Sequence, residues 1–129
     1  MLPYNDNIDK IKQYIRSEKY DCVIQLCNPL YCSTKDTIYL NYILDAYKKT
    51  KNNINAISNF KMLLTHAYPI PVHVCILHNE IGMYHSYSNE YAQAIEHFNK
   101  ILTINNSVPD VYYNIGMCYS FLKEYDKAI

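Results

Sequence analysis

Apolar residues along this chain recur every three or four positions, interrupted by short polar stretches, which is the spacing of a succession of helices each with one buried face. Ile8, Ile11, Tyr14 and Ile15 mark a first helix over residues 6–17, with Asp6 or Asn7 as its cap. Ser17-Glu18-Lys19 makes a turn, and Tyr20, Val23, Ile24 and Cys27 mark a short second helix over 20–28. Asn28-Pro29 should end it, because the residue before a proline avoids helical backbone angles. Ser33-Thr34-Lys35-Asp36 is the next start signal, and Leu40, Ile43, Leu44 and Tyr47 form the stripe of a third helix over 37–50. After the turn Thr50-Lys51-Asn52-Asn53, a fourth helix is expected over 54–66, with Ile57, Phe60, Leu63 and Leu64 inward. Pro69 and Pro71 then break the chain, since two prolines so close cannot both sit inside a helix. Further helices are expected over 72–87, 91–104 and 109–121, with an eighth starting near 124; Pro109 suits a first helical turn. No stretch alternates in the manner of a strand, so the chain reads as all-α.

The last of these segments repeats an earlier one. Gly82 and Gly116 lie 34 residues apart, as do Tyr91 and Tyr125, and Ala94 and Ala128. A fixed period of this size marks stacked helix pairs, in which each pair buries its face only against its neighbours.

A 34-residue helix pair with Gly in its first helix and Ala in its second resembles the tetratricopeptide repeat (TPR). That family places a large residue at position 4, Leu-Gly at 7–8, Tyr at 11, Ala at 20 and Phe at 24. Counting from Pro109, Tyr112, Ile115-Gly116, Tyr119, Tyr125 and Ala128 follow the pattern. Counting from Cys75, it is followed by His78, Ile81-Gly82, His85, Tyr91, Ala94, Phe98 and Ile101. Counting from Thr37, Leu40, Ile43-Leu44, Tyr47, Ala56, Phe60 and Leu63 fit, with the glycine lost. Pro71 to Val74 are extra residues that should lengthen the next helix. A first hairpin counted from Tyr4 matches least, through Tyr14, Tyr20, Val23 and Cys27, and reads as a diverged cap. The resemblance implies a single α-solenoid domain of antiparallel helix pairs wound as a right-handed superhelix. Its parts are 4–36, 37–70, 75–108 and a truncated 109–129. Gly at 8 and Ala at 20 are small where two helices cross closely.

Composition narrows the functional classes. In 129 residues Lys plus Arg equals Asp plus Glu, 12 each, which argues against a nucleic-acid or membrane-surface role driven by net charge. The 15 tyrosines suggest stacking on single-stranded nucleic acid, but most fall at the repeat's packing positions. The N-terminus has no apolar core of signal-peptide length, and no run approaches a membrane span. The five cysteines are odd in number with no C-x-x-C pair, as expected of free, mostly buried thiols in a reducing compartment. The expected location is the cytoplasm, with the nucleus as the alternative.

Candidate chemistry is sparse. Cys75, His78 and His85 share a helix face, but seven residues of helix rise about 10.5 Å, too far for both histidines to hold one ion. His66, His73 and His97 add no ligand spacing. No nucleophile–base pair and no Gly-rich phosphate loop is present. The sequence therefore implies no catalytic residue, metal or cofactor.

The resemblance places the binding surface on the concave face, lined by first-helix positions. The groove candidates are Asn41, Tyr42 and Asp45; Asn79, Glu80, Met83 and Tyr87; and Tyr113, Asn114 and Met117. Amides can pair with a peptide backbone, while Tyr and Met offer apolar contact. The carboxylate-clamp subclass, which holds chaperone C-termini, is matched only at Asn114. The asparagine ladder of O-linked GlcNAc transferase-like proteins would begin only there, since Tyr42 and Glu80 hold the equivalent upstream positions. The implied function is a non-catalytic scaffold binding a peptide or partner helix. The alternative is the substrate-recruiting or regulatory arm of a larger enzyme, such as an O-linked GlcNAc transferase-like glycosyltransferase. Because residue 129 falls inside a repeat, the sequence is expected to be the N-terminal piece of a longer protein. Self-association is expected through the face of the last helix that carries Tyr112, Ile115 and Tyr119.

Overall fold

The computed structural model describes the backbone of residues 4–128 and the side chains of 5–123. Among them are seven α-helices and no strand: α1 (Tyr4–Arg16), α2 (Tyr20–Thr34), α3 (Thr37–Thr50), α4 (Asn53–Ala67), α5 (Pro71–Tyr87), α6 (Tyr91–Ile104) and α7 (Pro109–Ala128). The chain forms two compact units, residues 1–52 and 53–129. In the first, α2 packs on both α1 and α3; in the second, α5 packs on α4 and α6, and α6 on α7.

Most bounds follow the apolar periodicity, and α3 and α6 coincide with it. Pro71 starts α5 rather than breaking it, and the extra residues to Val74 lengthen that helix as expected. Three segments differ. Helix α1 begins at Tyr4, so Asp6 and Asn7 lie within its first turn and do not cap it; Asn7 is buried. Helix α2 runs through Pro29 to Thr34 instead of ending at Asn28. A proline inside a helix costs about 3 kcal/mol. The extra turn, however, buries Leu30 and Tyr31, each returning roughly 1.5–3 kcal/mol. Packing wins over the local preference. Polar residues then end the helix: Thr34 donates from Oγ1 to the Leu30 carbonyl (2.7 Å) and accepts the Asp36 N–H (3.1 Å). Asp36 in turn caps α3 by accepting the Ile38 N–H at 3.1 Å.

The third difference is at the C-terminal end. Helix α7 is continuous from Pro109 to Ala128, with no turn near 122 and no eighth helix among the described residues. Four of the six connections turn through a residue in the left-handed region, Glu18, Lys35, Lys51 or Asn89, with φ between 56° and 61°. A side chain there costs roughly 1–2 kcal/mol. At Asn89 the cost is offset because α6 folds back and buries its face on α5. At Lys123, one period later, the backbone stays helical and α7 continues to Ala128. The side chains of Tyr125 and Ala128, which carry part of the repeat pattern, lie outside the described residues, as does that of Tyr4.

The second unit is built on α5 and α6. Tyr91, Ala94, Ile95, Phe98 and Ile101 of α6 form a core with Val111 and Cys118 of α7. From the other side Phe60 of α4 meets the Tyr84 ring, centroids 5.5 Å apart. Where α5 crosses α6, Gly82 faces the buried ring of Phe98. A Cβ on Gly82 would lie 2.7 Å from the nearest ring carbon, whereas a Cβ on Gly116 meets nothing within 4 Å.

The two glycines should therefore respond oppositely to alanine. Gly82→Ala is expected to lower stability by about 1–3 kcal/mol, because Phe98 has nowhere to move. Gly116→Ala should be neutral or stabilising by up to about 1 kcal/mol, through helix propensity alone. Urea unfolding midpoints of the two variants check both.

Candidate functional site

Helix α5 has two working faces. Val74, Leu77, His78, Ile81 and His85 are buried. Cys75, Ile76, Asn79, Glu80 and Met83 are half-buried and line a groove. The i, i+3, i+4 spacing of each set follows from the helical repeat.

The groove of the second unit has a volume of about 460 Å³. Its other walls are Ile101 of α6, Asn105 and Val108 of the following connection, and Asp110, Val111 and Asn114 of α7. Asn105 shapes that connection by accepting the Ser107 N–H at 3.0 Å. The Asn114 amide donates to Met83 Sδ across the groove, at 3.9 Å. The lining thus combines side-chain amides, aliphatic carbons and a thioether with the carboxylates of Glu80 and Asp110. Among the described residues that line it there is no Lys, Arg or His.

The first unit has its own groove, about 410 Å³, lined by Ile15, Tyr20 and Val23 together with Tyr42, Asp45, Ala46, Lys48 and Lys49 of α3. Its charged residues are one acid and two bases.

The structure thus gathers Asn79, Glu80, Met83 and Asn114 around one groove, and Tyr42 with Asp45 around the other. Asn41, Tyr87, Tyr113 and Met117 line neither. Asn41 points to solvent, and Tyr87 packs edge-on against Tyr84 (centroids 5.7 Å apart) while remaining exposed. Tyr113 and Met117 are exposed on α7. The sequence register underrated Asn105 and Val108, which sit in a connection that helical positions do not index.

Behind α5 lies a cluster that sequence spacing does not reveal. His97 of α6 stands against both His78 and His85. His78 Nδ1 and His97 Nδ1 are 3.0 Å apart, so one carries the shared proton and the other accepts it. His85 stacks on His97, with centroids 5.6 Å apart and planes 20° from parallel. Its own Nδ1 lies 3.2 Å from Glu90 Oε1. Burial, reinforced by His78, Lys100, His85 and Lys61, lowers the His97 pKa to about 4. Burial and Lys100 lower that of His78 as well. Among the described residues no group of three or more His, Cys, Asp or Glu is placed to hold a metal ion.

The five cysteines are unpaired; Cys27 and Cys118 are buried, and Cys22, Cys32 and Cys75 are partly so. Burial pushes the Cys27 thiol up to about 12 and raises Cys32 and Cys75, so these three are poor nucleophiles at neutral pH. The tyrosines divide: Tyr31, Tyr39, Tyr47, Tyr84 and Tyr91 are core, while Tyr112 and Tyr119 are more than half exposed despite their packing positions. No helix among the described residues is long and apolar enough to cross a membrane.

Residues 77–108 and 109–129 match the model of the tetratricopeptide repeat family as two consecutive repeats. No curated protein matches the sequence. Among solved structures, the chain is similar to the TPR2AB domain of yeast Sti1, described in a pHSP90 complex. The TM-score is 0.74 at 18% identity, over 95% of this chain and 48% of that one. The present sequence therefore spans about half the length of that structure, and the likeness is one of fold. Residues 77–129 thus carry the tetratricopeptide repeat, and the chain as a whole has the fold of an all-α solenoid of helix pairs.

The histidine cluster sets an acid dependence. In the folded chain His78 and His97 hold protons less tightly than an unfolded histidine, whose pKa is near 6.5. Their contribution is complete above about pH 6.5 and is lost as pH falls through the window towards about 4. Stability should drop across that window by up to about 3 kcal/mol. Urea midpoints measured from pH 7 downward check this, and His97→Phe should make the slope shallower.

Proposed function

We propose that this chain is a protein-interaction scaffold that holds an extended peptide segment of a partner protein in the groove of its second unit. One observation carries the reading: α5 and α7 turn Asn79, Met83 and Asn114 into the same half-buried groove. An extended peptide exposes backbone N–H and C=O groups that helices satisfy internally. Side-chain amides, with both donor and acceptor, are suited to pair with them. The thioether of Met83 and the aliphatic carbons of Ile76 and Val108 give side chains of varied shape an adaptable apolar contact. A groove of this size accepts a few residues, so affinity is expected in the micromolar range unless further surface is used. The family supports the reading, as does the similar solved structure, which is a complex of a TPR domain with pHSP90. The free cysteines suit a reducing location such as the cytoplasm or nucleus.

The reading is tested with peptides selected from a random display library on the immobilised protein, then measured by fluorescence polarisation. Asn79→Ala combined with Asn114→Ala is expected to weaken the selected peptides about tenfold or more, with an unchanged far-UV spectrum and urea midpoint. Selected peptides that bind this double variant as tightly as the parent would place the site elsewhere.

A further inference from the structure

We propose that two copies of this chain associate through the solvent face of α7, as an antiparallel pair of helices crossing at Gly116. The solvent side of a helix normally carries charge. Here, from Val111 to Leu122, no residue is Asp, Glu, Lys or Arg. By contrast, the outer side of α6 shows Glu96 and Lys100, 3.8 Å apart. Gly116 is exposed, and a Cβ there would meet nothing within 4 Å. Around it on the helix surface stand Tyr112, Tyr113, Met117 and Tyr119, all exposed. The Tyr112 hydroxyl donates to the Asn106 carbonyl at 3.0 Å, which fixes that ring in advance. At the rim Phe121 stacks on Tyr91 of α6, with centroids 5.0 Å apart and planes 17° from parallel. The patch is thereby continuous with the α6–α7 core.

The repeat period shows what such a face can accept. One period earlier, His78, Gly82 and His85 of α5 hold the places of Tyr112, Gly116 and Tyr119. There α6 covers the face, with His97 against both histidines and the Phe98 ring over the glycine. A second α7 is a helix that can approach as closely, because it too has a glycine at the crossing. Antiparallel packing about Gly116 sets Tyr112 against the partner's Tyr119, so that rings fill the space over each glycine. The area is sufficient. Tyr112, Tyr113 and Tyr119 are 52%, 67% and 57% exposed, and Met117 is 40% exposed. With about 150–250 Å² for each aromatic side chain, the patch offers roughly 500 Å² per copy. A pair then buries about 1,000 Å², the lower bound of a specific interface, so a reversible micromolar dimer is expected. Asn114 faces the groove instead, so pairing and peptide binding use different sides of α7.

The test is sedimentation velocity and light scattering of the full chain from about 1 to about 500 μM. The mean mass is expected to rise from 15.2 kDa towards twice that value and to stop there, because an isologous contact closes on itself. Gly116→Glu sets two like charges at the crossing and should weaken the pair about tenfold or more. Its urea midpoint in dilute solution should equal or exceed the parent's, because the position is open and Glu favours a helix over Gly. Gln93→Glu, the same change of charge at an exposed position of α6, should leave the dimer as it is. A chain that stays at 15.2 kDa throughout overturns the inference and leaves the face to a helix of another protein. Mass that grows past a dimer overturns it as well, as does a dimer that Gly116→Glu fails to weaken. A dimer weakened equally by Gln93→Glu reports net charge alone and also overturns it.

Discussion

The second unit depends on how closely α5 can approach α6. That distance is set by an absent side chain at Gly82, into whose place the ring of Phe98 fits, with Ala94 small and fully buried on the same helix. Once the two axes are this close, the residues around the crossing have no freedom. Ile81, Ile95 and Ile101 must fill what remains, and the three histidines must meet ring to ring. The groove follows from the same contact. Because α6 is held tightly behind α5, the opposite face of α5 is fixed, and α7 is fixed in turn through Val111 and Cys118 against α6.

Much of this is readable in the chain itself. Apolar spacing places every helix through α6, and the repeat period singles out Gly82 before any coordinates exist. The failures have a shared physical origin, since each is a local preference overruled, or left unsupported, by packing elsewhere. Pro29 is a helix breaker by its own chemistry, yet the burial of Tyr31 beyond it decides the outcome. Near 122 the polar turn sequence is present, yet α7 runs through it to Ala128. The equivalence of Gly82 and Gly116 is likewise a property of the period, while only one has a ring against it.

The groove was legible to the extent that it is made of helix. Asn79, Glu80, Met83 and Asn114 occupy positions that a helical register can index, and they converge. Asn105 and Val108 belong to an irregular connection whose path depends on the Asx turn in which Asn105 accepts the Ser107 N–H, which no periodicity encodes. Tyr87, Tyr113 and Met117 share that register and stand outside both grooves. A register assigns a direction in which a residue faces, but whether that direction opens on a cavity or on bulk water depends on neighbouring helices. His97 was invisible for a third reason. Its partners lie 19 and 12 positions earlier on another helix, so the cluster exists only once α5 and α6 are docked.

The two-faced character of α5 has a thermodynamic consequence. One helix turns Asn79 and Met83 towards the groove and His78 and His85 towards α6. Anything that bound the groove only while this helix is docked would oppose proton uptake by His78 and by His97 behind it. Protonation of that pair would weaken such binding by the same coupling free energy, because linkage is reciprocal. Part of any pH response of the groove would thereby belong to groups that do not line it.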